Sequence, residues 1–360
     1  MSNYLELNQA KEENSISNFY LSNNQGDLYK SLYKVTPKKI RKIISNYPNA
    51  NYTDLKSKII KKYYLDNTSE ILLGSGSEEL IVRINNYLRS NNFSVGITIP
   101  NFYRILETAG RYKKIILPHK EKNYLHKAKE VAKKISNLKI NALWISNPNL
   151  INGKSFLRSG LTSLINNFPN ILFIIDEAGI DFLEIKPNKY SLIKESQKLD
   201  NLLVIRSFSK MYGLAGIRGG FLSGKRKIIK KLNENSPTFP YTGLAQYFIN
   251  QMLNKLEKFE KIRIKALKNK KEIEKKLNEN NGFQINKSLT NCIYAKHQKL
   301  DLNNLLIDLN IIPLNLNNCM GMEGSDYIRL TSHSSKKKFN YLYKKIKSYK
   351  KINKYYEKQF

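Results

Sequence analysis

The stretch Ser207-Phe208-Ser209-Lys210-Met211-Tyr212-Gly213-Leu214-Ala215-Gly216-Ile217-Arg218 puts two hydroxyls, one lysine and, eight residues on, one arginine into a glycine-containing turn. It follows an apolar run. A lysine amine condenses with aldehydes, while hydroxyls and a guanidinium hold a phosphate dianion close by. The set therefore suits a phosphorylated aldehyde. A lysine and an arginine alone in a loop are usually solvated charges, so other residues must carry the case.

Three further motifs supply them. Phe173-Ile174-Ile175-Asp176-Glu177-Ala178 is an apolar run ending in a carboxylate. An Asp at a strand's end can pair with a pyridinium nitrogen and keep it protonated, which makes the ring an electron sink; the same residue type also caps helices. Glu177 should point the other way and serve structure. Gly74-Ser75-Gly76-Ser77-Glu78-Glu79 is a tight turn that opens a helix, with free N–H groups and a positive dipole end that make an anion pocket. Pro100-Asn101-Phe102 closes a strand, and the Phe102 ring could lie flat on a pyridine, although such a ring is also ordinary core material.

These residues need a scaffold, and the middle of the chain provides one. Short β-branched runs at Ser94 to Ile99, Lys114 to Leu117, Ala142 to Ser146, Ile171 to Asp176, Leu202 to Ser207 and Gly219 to Ser223 alternate with helical patterns starting near Ser77, Phe102, Tyr124 and Leu157. That alternation predicts an α/β fold with a mostly parallel sheet and functional residues at the carboxyl ends of its strands. After about Tyr241 the pattern changes to a long Lys-rich helical stretch, Leu244 to Asn280, then strand-like Asn291 to Ala295, a short helix, Asp326 to Thr331 and a last helix. The expected organisation is an N-terminal arm (1–40) packing on a small domain, a large domain (41–243), and a linking helix with a smaller α+β domain (244–360). Tyr47-Pro48-Asn49 and Ser22 to Gly26 read as loops.

Composition narrows the classes. The 360 residues, 41% hydrophobic, can fill a sizeable core. No stretch approaches the roughly 20 apolar residues of a membrane helix, and Met1 to Ala10 lacks the pattern of an export signal. No membrane partner is expected, and a cytoplasmic location fits best. Cys292 and Cys319, the only cysteines, show no ligand-type spacing, so no metal is expected. The net charge of +33 would by itself suggest nucleic acid. Its lysines are spread along the chain, and the one dense cluster, Lys336 to Lys351, carries Phe339, Leu342 and Ile346 at helical spacing. A solvated helix face explains it, and a nucleic-acid partner is not expected.

In order and spacing, Tyr47-Pro48-Asn49, Gly74 to Glu79, Asp176-Glu177-Ala178, Ser207 to Arg218 and Tyr327-Ile328-Arg329-Leu330-Thr331 together resemble the fold-type I pyridoxal 5′-phosphate (PLP)-dependent aminotransferases of class I/II. Within them, the chain is most similar to the histidinol-phosphate aminotransferase and threonine-phosphate decarboxylase group. The resemblance implies PLP as cofactor, with Lys210 as the Schiff-base lysine and proton shuttle. It implies Asp176 on the pyridine nitrogen, Phe102 stacked on the ring, and Ser77, Glu78, Ser207, Ser209 and Arg218 around the phosphate, Ser77 and Glu78 through backbone N–H. Tyr47 matches a tyrosine that reaches the cofactor phosphate of a neighbouring subunit, which implies a homodimer with shared sites. Arg329 matches the arginine that grips a small-molecule substrate's carboxylate or phosphate.

Three positions depart from that pattern. Where the family has Asn-Asn-Pro-Thr-Gly, this chain reads Asn149-Leu150-Ile151-Asn152-Gly153, with Leu150 in place of an amide that bonds the cofactor's O3′. Asn149 or Asn152 is then the available substitute. Gly179 replaces the tyrosine that contacts the same oxygen, so the Lys210 linkage should stay protonated to higher pH than is usual for the group. Leu314 stands where a second phosphate-binding arginine is common, which leaves Lys296 or another lysine to compensate.

The resulting expectation is an aminotransferase moving an amino group between a donor such as glutamate and a small acceptor, phosphorylated or not. The alternative on the same scaffold is a decarboxylase of a phosphorylated amino acid. A binding protein without catalysis is the third reading.

Overall fold

The computed structural model describes residues 17–19, 32–66, 70–117, 125–183, 188–234, 236–279 and 282–345. A short strand, β1 (Ser17–Asn18), precedes the main sheet, which comprises β2 (Glu70–Ser75), β3 (Val95–Ile99), β4 (Tyr112–Ile116), β5 (Ala142–Ser146), β6 (Leu172–Asp176), β7 (Leu202–Ser207) and β8 (Gly219–Gly224). Their spatial order is β2-β8-β7-β6-β5-β3-β4. β8 runs against both neighbours, and the other pairings are parallel.

The central strands read as unbroken apolar runs because helices cover both faces of the sheet. Leu143, Ile145, Phe173, Ile175, Leu202 and Val204 enter one core, and the alternate residues Ala142, Trp144, Ile174, Leu203 and Ile205 enter the other. The helix Gly76–Ser90 lays Leu80, Ile81, Ile84 and Leu88 onto that second core. Parallel strands bring Ile99, Ser146, Asp176 and Ser207 to one edge of the sheet. Because β8 is antiparallel, its starting end reaches the same edge, where Gly219 pairs with Ser75.

A second sheet, of order β12-β13-β10-β9, is antiparallel: β9 (Phe283–Asn286), β10 (Cys292–His297), β12 (Leu314–Asn315) and β13 (Ile328–Thr331). Alternation again decides its two faces. Ile293, Ala295, Ile328 and Leu330 join Phe19, Ile273 and Leu342 in a third core, while Cys292, Tyr294, Leu314 and Leu316 gather in a separate cluster. β1 pairs in parallel with β11 (Ile311–Ile312), which ties the described N-terminal residues to this region.

The α/β layout and the strands that the sequence reading expects agree with it to within a residue or two; β1, β2, β9, β11 and β12 are additional, and the long helical stretch differs. β2 is an added strand whose apolar run is cut short by Gly74 and Ser75. The stretch Leu244 to Asn280 is two helices, Gly243–Leu253 and Leu256–Asn278. Lys255 takes non-helical angles (φ −132°, ψ 27°) between them, and its ammonium donates to the Leu32 carbonyl. The expected loop at Ser22 to Gly26 and the helix start near Tyr124 lie outside the described residues, as does Ile346; a helix is described from Ala128 and another over 336–345. Among the described residues no helix is long and apolar enough to cross a membrane.

Candidate active site

Asp176 closes β6, Ser207 closes the adjacent β7, and Lys210 follows three residues later. Ser207 Oγ accepts the Ser209 N–H (3.2 Å), which curls the chain as it leaves the sheet. Both serines are buried. Burial pushes the Lys210 ammonium down to about 8, and Arg329 presses the same way; Cys292 and Asp176 oppose the fall and Arg218 adds to it. Burial also raises the Asp176 carboxyl, against the Ala178 N–H (3.0 Å) and the Lys210 charge. Lys210 and Asp176 each register the other, and both arginines from the sequence motifs act on the same amine. One neighbourhood thus holds four of the expected residues.

The glycine turn that opens the helix Gly76–Ser90 lies at the same end of the sheet. Gly76 has φ +83°, open to glycine, and a Cβ there would stand 2.7 Å from Arg218 Nη2. The guanidinium therefore lies directly over the start of the helix that carries the Ser77 and Glu78 amides. Arg218 is itself left-handed (φ 55°), and its Nη1 donates to the Ala215 carbonyl (3.2 Å). The Glu78 carboxylate turns to Arg104 Nε (2.8 Å) and lies 4.0 Å from Arg218. Arg104 was not legible as part of this group, because nothing in its local sequence marks it.

Phe102 sits at the turn between β3 and the helix Tyr103–Thr108, half-buried and edge-on to Tyr103 (4.9 Å). Asn101 sets that turn: its Oδ1 accepts the Phe102 N–H (2.8 Å) and the Ser146 hydroxyl (2.6 Å), which ties the ends of β3 and β5 together. Among the described residues Tyr47 makes no hydrogen bond, but it lies beside the segment whose Pro240 carbonyl accepts the Ser75 hydroxyl (2.8 Å). Its ring is 85% exposed and stacks on Phe239 at 5.0 Å.

Behind the strand ends lies a buried cluster of paired charges. Glu177 does turn away from Asp176, taking Arg206 Nη1 (2.7 Å), the Ser191 hydroxyl (2.7 Å) and the Leu192 N–H (2.6 Å). Burial still pushes it up to about 7, with Arg206 as the chief counterweight. Arg206 Nη2 donates to Asp181 (2.9 Å), which also accepts the Tyr212 hydroxyl (2.8 Å) and lies 3.3 Å from Lys62 Nζ. This cluster braces the segments on either side of Asp176 and Lys210. Of its members only Glu177 was anticipated; Arg206 inside an apolar strand was the available signal.

The departures at 150 and 179 turn out to be one packing event. A Cβ on Gly179 would lie 2.9 Å from Leu150 Cδ2, so the leucine side chain occupies the space a side chain at 179 would enter. Asn149 is spent on structure, with Nδ2 donating to the Pro100 carbonyl (2.7 Å) and Oδ1 accepting the Ile151 N–H (2.9 Å). Asn152 Oδ1 accepts the Lys154 N–H (3.0 Å), while its buried Nδ2 has no partner among the described residues. Leu314 pairs opposite Arg329 and packs in the Tyr294 cluster; Lys296 lies over the Tyr327 ring at 5.2 Å.

These residues fit a phosphorylated pyridine aldehyde on three counts: a depressed amine, a buried carboxylate beside it, and a guanidinium over a glycine-opened helix start. A histidinol-phosphate aminotransferase of Caldicellulosiruptor saccharolyticus is 32% identical over 224 residues, a match spanning 61% of this chain and 61% of that relative's length. The histidinol-phosphate aminotransferase of Clostridium acetobutylicum superposes with TM-score 0.80 at 19% identity, covering 93% of this chain and 99% of the other. That of Sinorhizobium meliloti in complex with pyridoxal-5′-phosphate superposes with TM-score 0.77 at 15% identity, covering 95% and 94%. At such identities the superpositions speak for the fold alone. The family described as aminotransferase class I and II matches residues 16–346, and with the site geometry above this shows that the chain belongs to that family.

Proposed function

We propose that this protein is a PLP-dependent aminotransferase, similar to the histidinol-phosphate enzymes, moving an amino group between a donor such as glutamate and a small acceptor, phosphorylated or not. The observation that carries the reading is that paired strands bring Asp176 and the Ser207–Lys210 turn to the end of the sheet where Arg218 covers the Gly76 helix start. When bound, PLP would supply an aldehyde for amine capture and a ring that accepts electrons from the substrate's Cα.

The chain's own residues do the rest. Lys210, brought down to about 8, can both hold and release a proton close to neutral pH, as a shuttle requires. Asp176, whose carboxyl burial raises, would pair with the ring nitrogen and favour its protonated form. Arg218, with the amides of Ser77 and Glu78 and the hydroxyls of Ser207 and Ser209, would hold the phosphate, and Phe102 would pack on the ring. Arg329 presents a planar fork to the substrate's anionic group, a geometry lysine lacks. The exposed Tyr47 supports a homodimer in which it serves the neighbour's phosphate. A cytoplasmic location completes the proposal.

Glutamate added to the PLP-loaded protein in a single-turnover assay tests this reading. Conversion of the cofactor to its amine form with release of 2-oxoglutarate is expected. Carbon dioxide release from a phosphorylated amino acid, without that conversion by glutamate, would transfer the reading to the decarboxylase alternative, and no spectral change with either amino acid would end it. Lys210→Ala should cost about 10²–10⁴-fold through lost proton transfer alone.

A further inference from the structure

The loop after β5 is gripped from both domains at once. On the large-domain side Asn149 Nδ2 donates to the Pro100 carbonyl and the Leu150 side chain fills the space above Gly179, three residues beyond Asp176. On the small-domain side the Leu150 carbonyl accepts two donors, Arg329 Nη1 at 2.6 Å and the Tyr294 hydroxyl at 3.0 Å. Tyr294 and Arg329 are direct cross-strand partners in the β10–β13 ladder, so their side chains share one face of that sheet. Tyr294 is almost completely buried, and its ring approaches Gly153 so closely that a Cβ there would stand 2.5 Å from Cε2.

We propose that Tyr294 is a positioning residue for Arg329, acting through the Leu150 carbonyl, and so a determinant of how tightly the site takes a carboxylate-bearing substrate. A carbonyl oxygen has two lone pairs, and here each has a donor. The phenol aims the oxygen, and the oxygen holds one arm of the guanidinium. The rest of the fork is thereby fixed in direction before any substrate arrives, which lowers the ordering cost of binding. Without the hydroxyl, the carbonyl oxygen loses one of its two donors and the guanidinium gains freedom. The inference rests on Arg329 being the substrate grip.

Tyr294→Phe removes the hydroxyl and keeps the ring seated on Gly153. Two readouts separate this inference from the proposed function. The first is binding of glutarate, an unreactive five-carbon dicarboxylate, to the resting holoenzyme, followed by perturbation of the cofactor absorbance. The second is the split between KM and kcat for glutamate. The expected result is a several-fold weaker glutarate affinity and a matching rise in KM, with kcat within about twofold and the melting temperature held. In an Arg329→Gln background, Tyr294→Phe should then have no further effect on glutarate binding. Unchanged glutarate affinity in the Tyr294→Phe protein would overturn the proposal, and so would an equal loss in both backgrounds, which would mark a general packing effect. Glutarate binding needs no turnover, so a failure of the aminotransferase reading would show separately as an inert wild-type protein.

Discussion

Arg206 and Arg218 flank the Lys210 turn on opposite sides, yet they live in different worlds. Arg206 is 1% exposed and spends its guanidinium on Glu177 and Asp181. Arg218 is half exposed, with only the Ala215 carbonyl at bonding distance among the described residues and Glu78 at 4.0 Å. A cation whose partners are buried carboxylates holds the turn in place, whereas a cation poised over a helix start with donors to spare is available to an anion. Residue type does not separate the two roles; the surrounding accounting of donors and acceptors does.

The sharpest way to break this contrast is Arg206→Met. It strands Glu177 in the interior without its cation and leaves Asp181 to Lys62 alone, and should cost about 3–5 kcal/mol of stability, read from urea unfolding. A loss below about 1 kcal/mol would mean that Lys62 alone satisfies both carboxylates. Arg218→Met should do the reverse: stability nearly unchanged, as for other exposed pairs, but phosphate-dependent PLP affinity weaker by about 1.5–3 kcal/mol, the worth of hydrogen bonds to a charged group. Titration of apo protein with PLP and with unphosphorylated pyridoxal checks this, since the variant should lose most of its preference between them.

Gly179→Tyr tests the paired departure. Alone it collides with Leu150 and should destabilise by about 1–3 kcal/mol; combined with Leu150→Asn it should recover part of that loss. In the double variant the cofactor linkage should also deprotonate at lower pH, seen in a spectral titration. A wild-type linkage that already deprotonates near or below neutral pH would refute the idea that these substitutions retune it.

The smallest effect concerns pH. Because the free Lys210 amine falls to about 8 from 10.5, the neutral nucleophile is already abundant one unit above neutrality. Capture of PLP by apo protein should therefore quicken with rising pH and level off above about 8, measured by stopped-flow absorbance. Arg329→Gln should move that midpoint upward more than Arg218→Met does, because Arg329 contributes more to the depression.

Much of this site was legible in sequence because its motifs are local. A glycine turn opening a helix, an Asp ending an apolar run and a Ser-x-Ser-Lys turn each declare themselves within a dozen residues, and the strands between them alternate with helices. What escaped was non-local. Lys62 meets Asp181, and Tyr294 meets Leu150, across separations of 119 and 144 residues. Arg104 joins Glu78 only because two helices converge. The strand Glu70–Ser75 and the break at Lys255 are set by tertiary pairing, with Gly219–Gly224 in one case and the Leu32 carbonyl in the other. Leu150 and Gly179 looked like two losses in the sequence; only packing shows them as a single exchange.

The exposed phenol of Tyr47 gives the proposed pair of subunits an unusual dependence. A phenol that serves the neighbouring chain's anion is useful only while that neighbour is present, so dilution alone would loosen each copy's hold on its phosphate. Occupancy of the site would then follow how much of the protein a compartment contains, coupling expression level to readiness without any dedicated regulator.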